Sequence, residues 1–251
     1  MVHRTLSLVI AIRFLGAPLA AQQPAAAPAA DSTTRLKWQH VALGIGVVAA
    51  ASTIDVPIAN AFQLNRTAGS LNTARQFDRF GDLTGAVPIL GGLAIVSLVS
   101  HNHRLGKATL RAAASAALAA LATQGIKRIA GRERPVEDAD LDGYDFHFFT
   151  NHQAFPSGHT AAAFALATSL GDGIGHTWAR VGLFGLATGT AWARMEEHEH
   201  WFSDVLGGAA IGVLSSKWAS GKLRVFGLRA PRFLIAPGTI AVSVPMPQRR
   251  H

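Results

Sequence analysis

Phe155-Pro156-Ser157-Gly158-His159-Thr160 joins a polar loop to the Ala-rich apolar run 161–170. A Ser and a Gly at a helix start present backbone N–H groups where anions bind. A His beside them can move a proton at neutral pH. Taken alone, the same residues read equally well as an N-cap Ser with an incidental His. Further apolar segments lie on both sides, at about 41–54, 83–100, 108–126, 178–193 and 205–218. Together with 160–170 they are rich in Ala, Gly, Leu and Val and show little period-2 alternation, which predicts six helices. The expected fold is therefore all-α, a six-helix bundle core with a short β-prone tail.

Composition narrows the classes. Of 251 residues, 49% are hydrophobic and only 15% charged, which is apolar for a soluble protein. There is no Cys, so disulfides and thiolate metal sites are excluded. The net charge of +8 suits anionic partners such as phosphates or anionic lipid. Without a basic run interleaved with aromatics, and with one Tyr, nucleic acid is not an expected partner.

Arg4, the apolar stretch 6–19 and Pro18-Leu19-Ala20-Ala21-Gln22 read as an export signal over 1–21. A short anchor or a plain helix are the alternatives. Residues 22–36 are Ala/Pro-rich, a disordered linker by composition. The helical domain is expected over 37–222 and a basic tail over 223–251. In the tail, Pro237-Gly238 between two β-rich runs suggests a small hairpin.

A spanning helix needs roughly 20 apolar residues. Segment 83–100 is long enough; 160–170 is not, unless flanking polar residues join it. The basic loop 101–107 and the tail with Lys217, Lys222, Arg224 and Arg229 would face the cytoplasm by the positive-inside rule. Six spans then place loops 127–153 and 195–202 outside, with both termini inside. A cleaved signal conflicts with that parity, and an exported helical protein that does not span removes the conflict. Membrane embedding in the cell envelope is the expectation carried forward.

Three polar clusters interrupt the apolar pattern. The first is Lys127-Arg128-Ile129-Ala130-Gly131-Arg132-Glu133-Arg134-Pro135. Cations closing a helix favour the negative end of its dipole, so a solvated basic helix end accounts for it when read alone. Lys127 and Arg134 also offer a point charge and a planar fork for a phosphoryl group. The second is the Pro-Ser-Gly-His junction. The third is Ala193-Arg194-Met195-Glu196-Glu197-His198-Glu199-His200-Trp201-Phe202-Ser203-Asp204. A helix beginning near His200 would put Asp204 on its face four residues on, fixing one imidazole tautomer. A structural His–Asp pair in a charged loop reads equally well.

Together the spacings resemble the type 2 phosphatidic acid phosphatase/haloperoxidase superfamily in all three signature motifs: Lys127, six residues, Arg134-Pro135; Pro156-Ser157-Gly158-His159; Arg194, five residues, His200, three residues, Asp204. Ala193 stands where many relatives carry Ser, removing one hydrogen bond to phosphate. The resemblance implies His200 as the nucleophile forming a phosphohistidine, Asp204 as its orienting partner, and His159 as general acid and then base. Lys127, Arg134, Arg194, Ser157 and the N–H of Gly158 would hold the phosphoryl oxygens. It implies no cofactor and no metal.

Other signals were weaker. Asp138-Ala139-Asp140-Leu141-Asp142-Gly143 opens like a calcium loop, but Phe149 stands where the bidentate Glu is required. His101/His103 and His198/His200 have a His-x-His spacing suggestive of zinc, but the first pair lacks a partner set and the second belongs to the third motif. Trp178, Trp192, Trp201 and Trp218 suit either an interfacial belt or helix-end packing. The expected activity is phosphatase action on a phosphorylated lipid. The alternatives are an exported soluble acid phosphatase, a vanadate-dependent haloperoxidase, and a non-enzymatic membrane protein. The roles of Glu196, Glu197 and Glu199 stay open.

Overall fold

The structure, a computed structural model, describes residues 7–13, 33–136, 142–230, 232–236 and 239–245. Among them the order is β1 (Ser7–Arg13), β2 (Thr34–Leu36), α1 (Trp38–Ser52), α2 (Asp55–Asn65), α3 (Ala68–Asp78), α4 (Leu83–Val99), α5 (His103–Ala130), α6 (Gly158–Ile174), α7 (Thr177–Glu196), α8 (Phe202–Ala219), β3 (Leu223–Val225), β4 (Arg232–Ala236) and β5 (Thr239–Pro245).

The fold is mainly α-helical, with eight helices among the described residues where six were expected. The additional two, α2 and α3, are short, 11 residues each, and lie in the stretch 55–78. Local chemistry builds α3: Thr67 and Ser70 form a reciprocal capping box. Asp82 caps α4, accepting from the Thr84 N–H at 3.1 Å. Pro88 lies inside α4. Asn102 caps α5 through the Leu105 N–H at 3.1 Å.

The helical unit is Gln39–Lys217, and α6 is its central element. Ala161, Ala163, Ala165, Leu166 and Ala167 are fully buried and α6 packs on α5 and α7. Small side chains are what let three helices close on one. The same logic brings α8 against α6 backbone to backbone. A Cβ at Gly208 would lie 2.4 Å from the Ser157 carbonyl, and one at Gly212 would lie 2.3 Å from that of Ala161. By contrast α1 has no buried residue. On α4, Leu83, Val87, Ile95, Val96, Leu98 and Val99 are exposed.

No single described helix is long and apolar enough to cross a membrane. Two bent pairs have the length and composition together: α1 with α2, bent by 50°, and α3 with α4, bent by 44°.

In the terminal unit, the expected hairpin is present as antiparallel β4 and β5. β1 adds to β5, giving the order β1-β5-β4. β2 pairs in parallel with β3. The export-signal reading over 1–21 falls outside the described residues except for 7–13. The linker reading over 22–36 does so up to residue 32, and its last residues, 34–36, are those of β2. The acidic run 138–142 also lies outside the described residues, except Asp142.

Candidate active site

All three motifs sit at helix ends, and those ends meet. Lys127 lies in the last turn of α5, which Gly131 closes at φ 57°. A side chain there would collide with the His147 carbonyl, so the turn after Lys127 requires Gly. Lys127 is buried, and its Nζ donates to the Gln153 carbonyl. Ser157 caps α6 and is fully buried. Its N–H donates to the Asp204 carbonyl at 3.0 Å, tying the second motif to the third. A Cβ placed at Gly158 would meet the Lys127 Cε and Thr123 Oγ1 at 3.9 Å. The first motif's lysine therefore reaches the N-terminus of α6, where N–H groups favour anions.

Arg194 lies in the last turn of α7. Its Nη1 pairs with Glu197 Oε2 at 2.7 Å and Asp78 Oδ2 at 3.3 Å, and its Nη2 with Glu199 Oε2 at 3.3 Å. Arg134 also pairs with that Glu199 oxygen, so one carboxylate bridges the two arginines. Glu196 instead is buried and accepts from Ser70 Oγ at 2.5 Å. The Arg194 Nε is buried with no hydrogen-bond partner among the described residues. An anion oxygen is the natural complement of such a donor.

His200 follows α7 and is 5% exposed. Burial, aided by the Lys127 and Arg194 charges and opposed by Asp204, depresses its pKa to about 4. The ring is thus neutral and nucleophilic at physiological pH. Its Nδ1 lies 3.6 Å from Asp204 Oδ2, beyond hydrogen-bond length. The helix starts at Phe202, later than the spacing suggested, and Asp204 is already engaged. Its Oδ2 accepts from the Trp201 N–H at 2.8 Å, the capping-box contact of an acid at the third helical position. Asp204 thus supplies a capping contact for α8.

His159 stands in the first turn of α6. Its Nδ1 lies 3.0 Å from Asp78 Oδ1 and its Nε2 3.6 Å from Asp82 Oδ1. Asp78 ends α3 and touches Arg194 as well, linking the second and third motifs through a helix that hydropathy did not reveal. A carboxylate on Nδ1 fixes the ring and leaves Nε2 for proton transfer. Asp78→Asn is expected to lower kcat by about a hundredfold, the scale of a misplaced general acid. The check is steady-state kinetics with a pH profile; an unchanged alkaline limb would show that Asp78 does not act through His159.

Behind His200 lies a buried charge network that the sequence did not announce. Arg132 Nη1 pairs with Asp204 Oδ1 at 2.6 Å and Ser203 Oγ at 2.8 Å; its Nη2 pairs with Asp55 Oδ2 at 2.7 Å. Asp55 also accepts from the Ser203 N–H at 2.8 Å. Arg132, Asp55 and Asp204 are each at most 2% exposed. The guanidinium lies 5.3 Å from both the Phe146 and Trp201 ring centroids. Trp201 is therefore a core residue and not part of an interfacial belt, whereas Trp178 is exposed. One signal pointed here: Asp55, Asp78 and Asp82 are the only acidic residues between 33 and 132, and all three lie at the site.

Helix ends that gather three cations, two imidazoles and an N-terminal amide cap form a site with the charge and donor groups to hold an anion. The family model described as PAP2 superfamily matches residues 108–224. The matched segment contains all three motifs. Lipid A 1-phosphatase of Porphyromonas gingivalis is 45% identical over 67 residues. That stretch is 26% of this chain and 15% of that protein, so the match spans a small part of the relative.

Two solved structures share the fold. LpxE of Aquifex aeolicus superposes with a TM-score of 0.52 at 21% identity, covering 66% of this chain and 94% of that one. A transmembrane PAP2 type phosphatidylglycerolphosphate phosphatase from Bacillus subtilis gives 0.55 at 18%, covering 73% and 94%.

Proposed function

We propose that this chain is a metal-independent phosphatase acting on a phosphomonoester or diphosphate of a lipid through a phosphohistidine intermediate. The observation that carries this reading is the meeting of neutral His200, His159 and the Lys127/Arg134/Arg194 cations at one set of helix ends. In the first half-reaction, His200 Nε2 attacks phosphorus and the ester P–O bond breaks. His159 protonates the leaving oxygen. In the second, water attacks phosphorus, the P–N bond breaks, and His159 takes the water's proton. The cations, with the Ser157 and Gly158 cap, hold the non-bridging oxygens throughout. Those positive charges do the work that a metal does elsewhere.

A lipid substrate is supported by the relatives, whose names specify lipid A and phosphatidylglycerolphosphate. The exposed aliphatic faces of α1 and α4 support it independently, since patches of this kind mark membrane or partner contact. Both bent helix pairs break beside site carboxylates, near Asp55 and between Asp78 and Asp82. We place α1 and α4 in the apolar phase and the site where α2 and α3 turn over it, at the outer face of the envelope membrane.

The deciding experiment is a substrate panel in detergent with excess chelator: phosphatidate, phosphatidylglycerol phosphate, a polyprenyl diphosphate and a soluble aryl phosphate. Phosphate release from a lipid in the presence of chelator is expected. Strict metal dependence would reject the mechanism. Turnover of the aryl phosphate alone would reject the lipid substrate.

A further inference from the structure

Glu133, His147 and His152 form a second polar cluster, on the outer side of the loop between α5 and α6. Their ligand atoms lie within 4.8 Å of one another. Glu133 Oε1 is 3.6 Å from His147 Nε2 and 3.4 Å from His152 Nε2. Asp145 Oδ1 is 2.9 Å from the same His147 nitrogen. None of these side chains takes part in the proposed phosphoryl transfer, and none belongs to the three motifs as a reacting group.

The spacing has a chemical meaning. Four ligands at 2.0–2.1 Å around a tetrahedral ion are about 3.3 Å apart. The two Glu133–imidazole separations, 3.6 and 3.4 Å, are close to that value. Two imidazoles with one or two carboxylates suit zinc, whereas magnesium and calcium prefer all-oxygen shells.

The backbone already holds the ligands in place. The Glu133 N–H donates to the Asp145 carbonyl at 3.1 Å, and the His147 N–H to the Gly131 carbonyl at 2.8 Å. Arg132 and Phe146 form a β-bridge, and the Ala154 N–H donates to the Arg132 carbonyl at 2.9 Å. The His147 and His152 rings lie 5.0 Å apart. Little chain ordering would remain for a metal to impose.

We infer that Glu133, His147 and His152 bind a zinc ion, with solvent at the fourth position, and that the ion staples the α5–α6 loop beside the active site. The loop so held carries Gln153, whose carbonyl receives Lys127, and leads directly into the Ser157 cap. The ion is structural, so this inference stands or falls separately from the metal-free chemistry at His200.

The test uses the full-length chain in detergent, stripped with chelator. Zinc is titrated in competition with a chromophoric chelator, and thermal unfolding is followed with and without zinc. One zinc per chain at micromolar free metal is expected, with an upward shift in Tm that magnesium does not reproduce. His147→Ala, His152→Ala and Glu133→Gln should each weaken binding by about tenfold or more and abolish the Tm shift. His200→Ala and the double variant His101→Ala/His103→Ala should keep both. Absence of micromolar binding would overturn the proposal. So would binding that survives in all three cluster variants, or that disappears in the His200 or His101/His103 variants.

Discussion

Replacing His200 by Ala is expected to reduce phosphate release by about 10⁴-fold or more, the scale seen when a covalent nucleophile is removed. No other described imidazole faces Asp204, so no neighbour can take over the attack. The chain should still fold, because His200 Nδ1 has no hydrogen-bond partner among the described residues. Near-normal turnover in this variant, measured as phosphate release under single-turnover conditions, would reject the phosphohistidine.

The same residue sets a pH signature. Its folded pKa is about 4, below the ordinary value of about 6.5. Above pH 6.5 both folded and unfolded chains leave the ring neutral. As pH falls towards 4, the unfolded chain takes up a proton that the folded chain refuses. Stability is therefore lost across that window, by about 3 kcal/mol once complete. Thermal unfolding from pH 7 to 4 should show a shallower loss in His200→Ala than in the parent. In activity, the nucleophile's own acid limb should fall at about pH 4.

Arg132→Leu is expected to give the largest loss of stability among single changes. It strands the buried carboxylates of Asp55 and Asp204 without a cation, and breaking such a network costs about 3–5 kcal/mol. A destabilised protein could lose activity for that reason alone, so Arg132→Lys is the informative partner. It keeps the charge but not the fork that reaches both acids. The expected result is a folded enzyme with KM near the parent's and kcat lower by about a hundredfold, because Asp204 and with it His200 shift. Full kcat in a folded Arg132→Lys enzyme would show that the network only supports the fold.

The three motifs were legible because each is local: a few residues, fixed spacing, chemistry that makes sense at a helix end. The long helices were legible from their apolar runs. What escaped were residues whose meaning lies in distant partners. Asp55 reaches Arg132 across 77 positions and Asp78 reaches His159 across 81. Arg132 looked like one more cation in a basic helix end, although it is the one buried between Phe146 and Trp201. Helices α2 and α3 are only 11 residues each and form no long apolar run, and both acids sit on them. Residues 55 and 78 also precede the PAP2 match at 108–224, so the motifs alone could not point to them.

The Glu199 bridge between Arg134 and Arg194 has a consequence for turnover under the proposed function. The resting cradle already contains an anion, tethered to the chain and effectively at high concentration. A substrate phosphate must displace it to reach His200, and a weak anion cannot. Once the ester is cleaved and inorganic phosphate has lost its lipid anchor, the carboxylate competes for the same two guanidiniums. Free phosphate is then a poor inhibitor, and the affinity of a productive ligand comes mainly from its apolar chain.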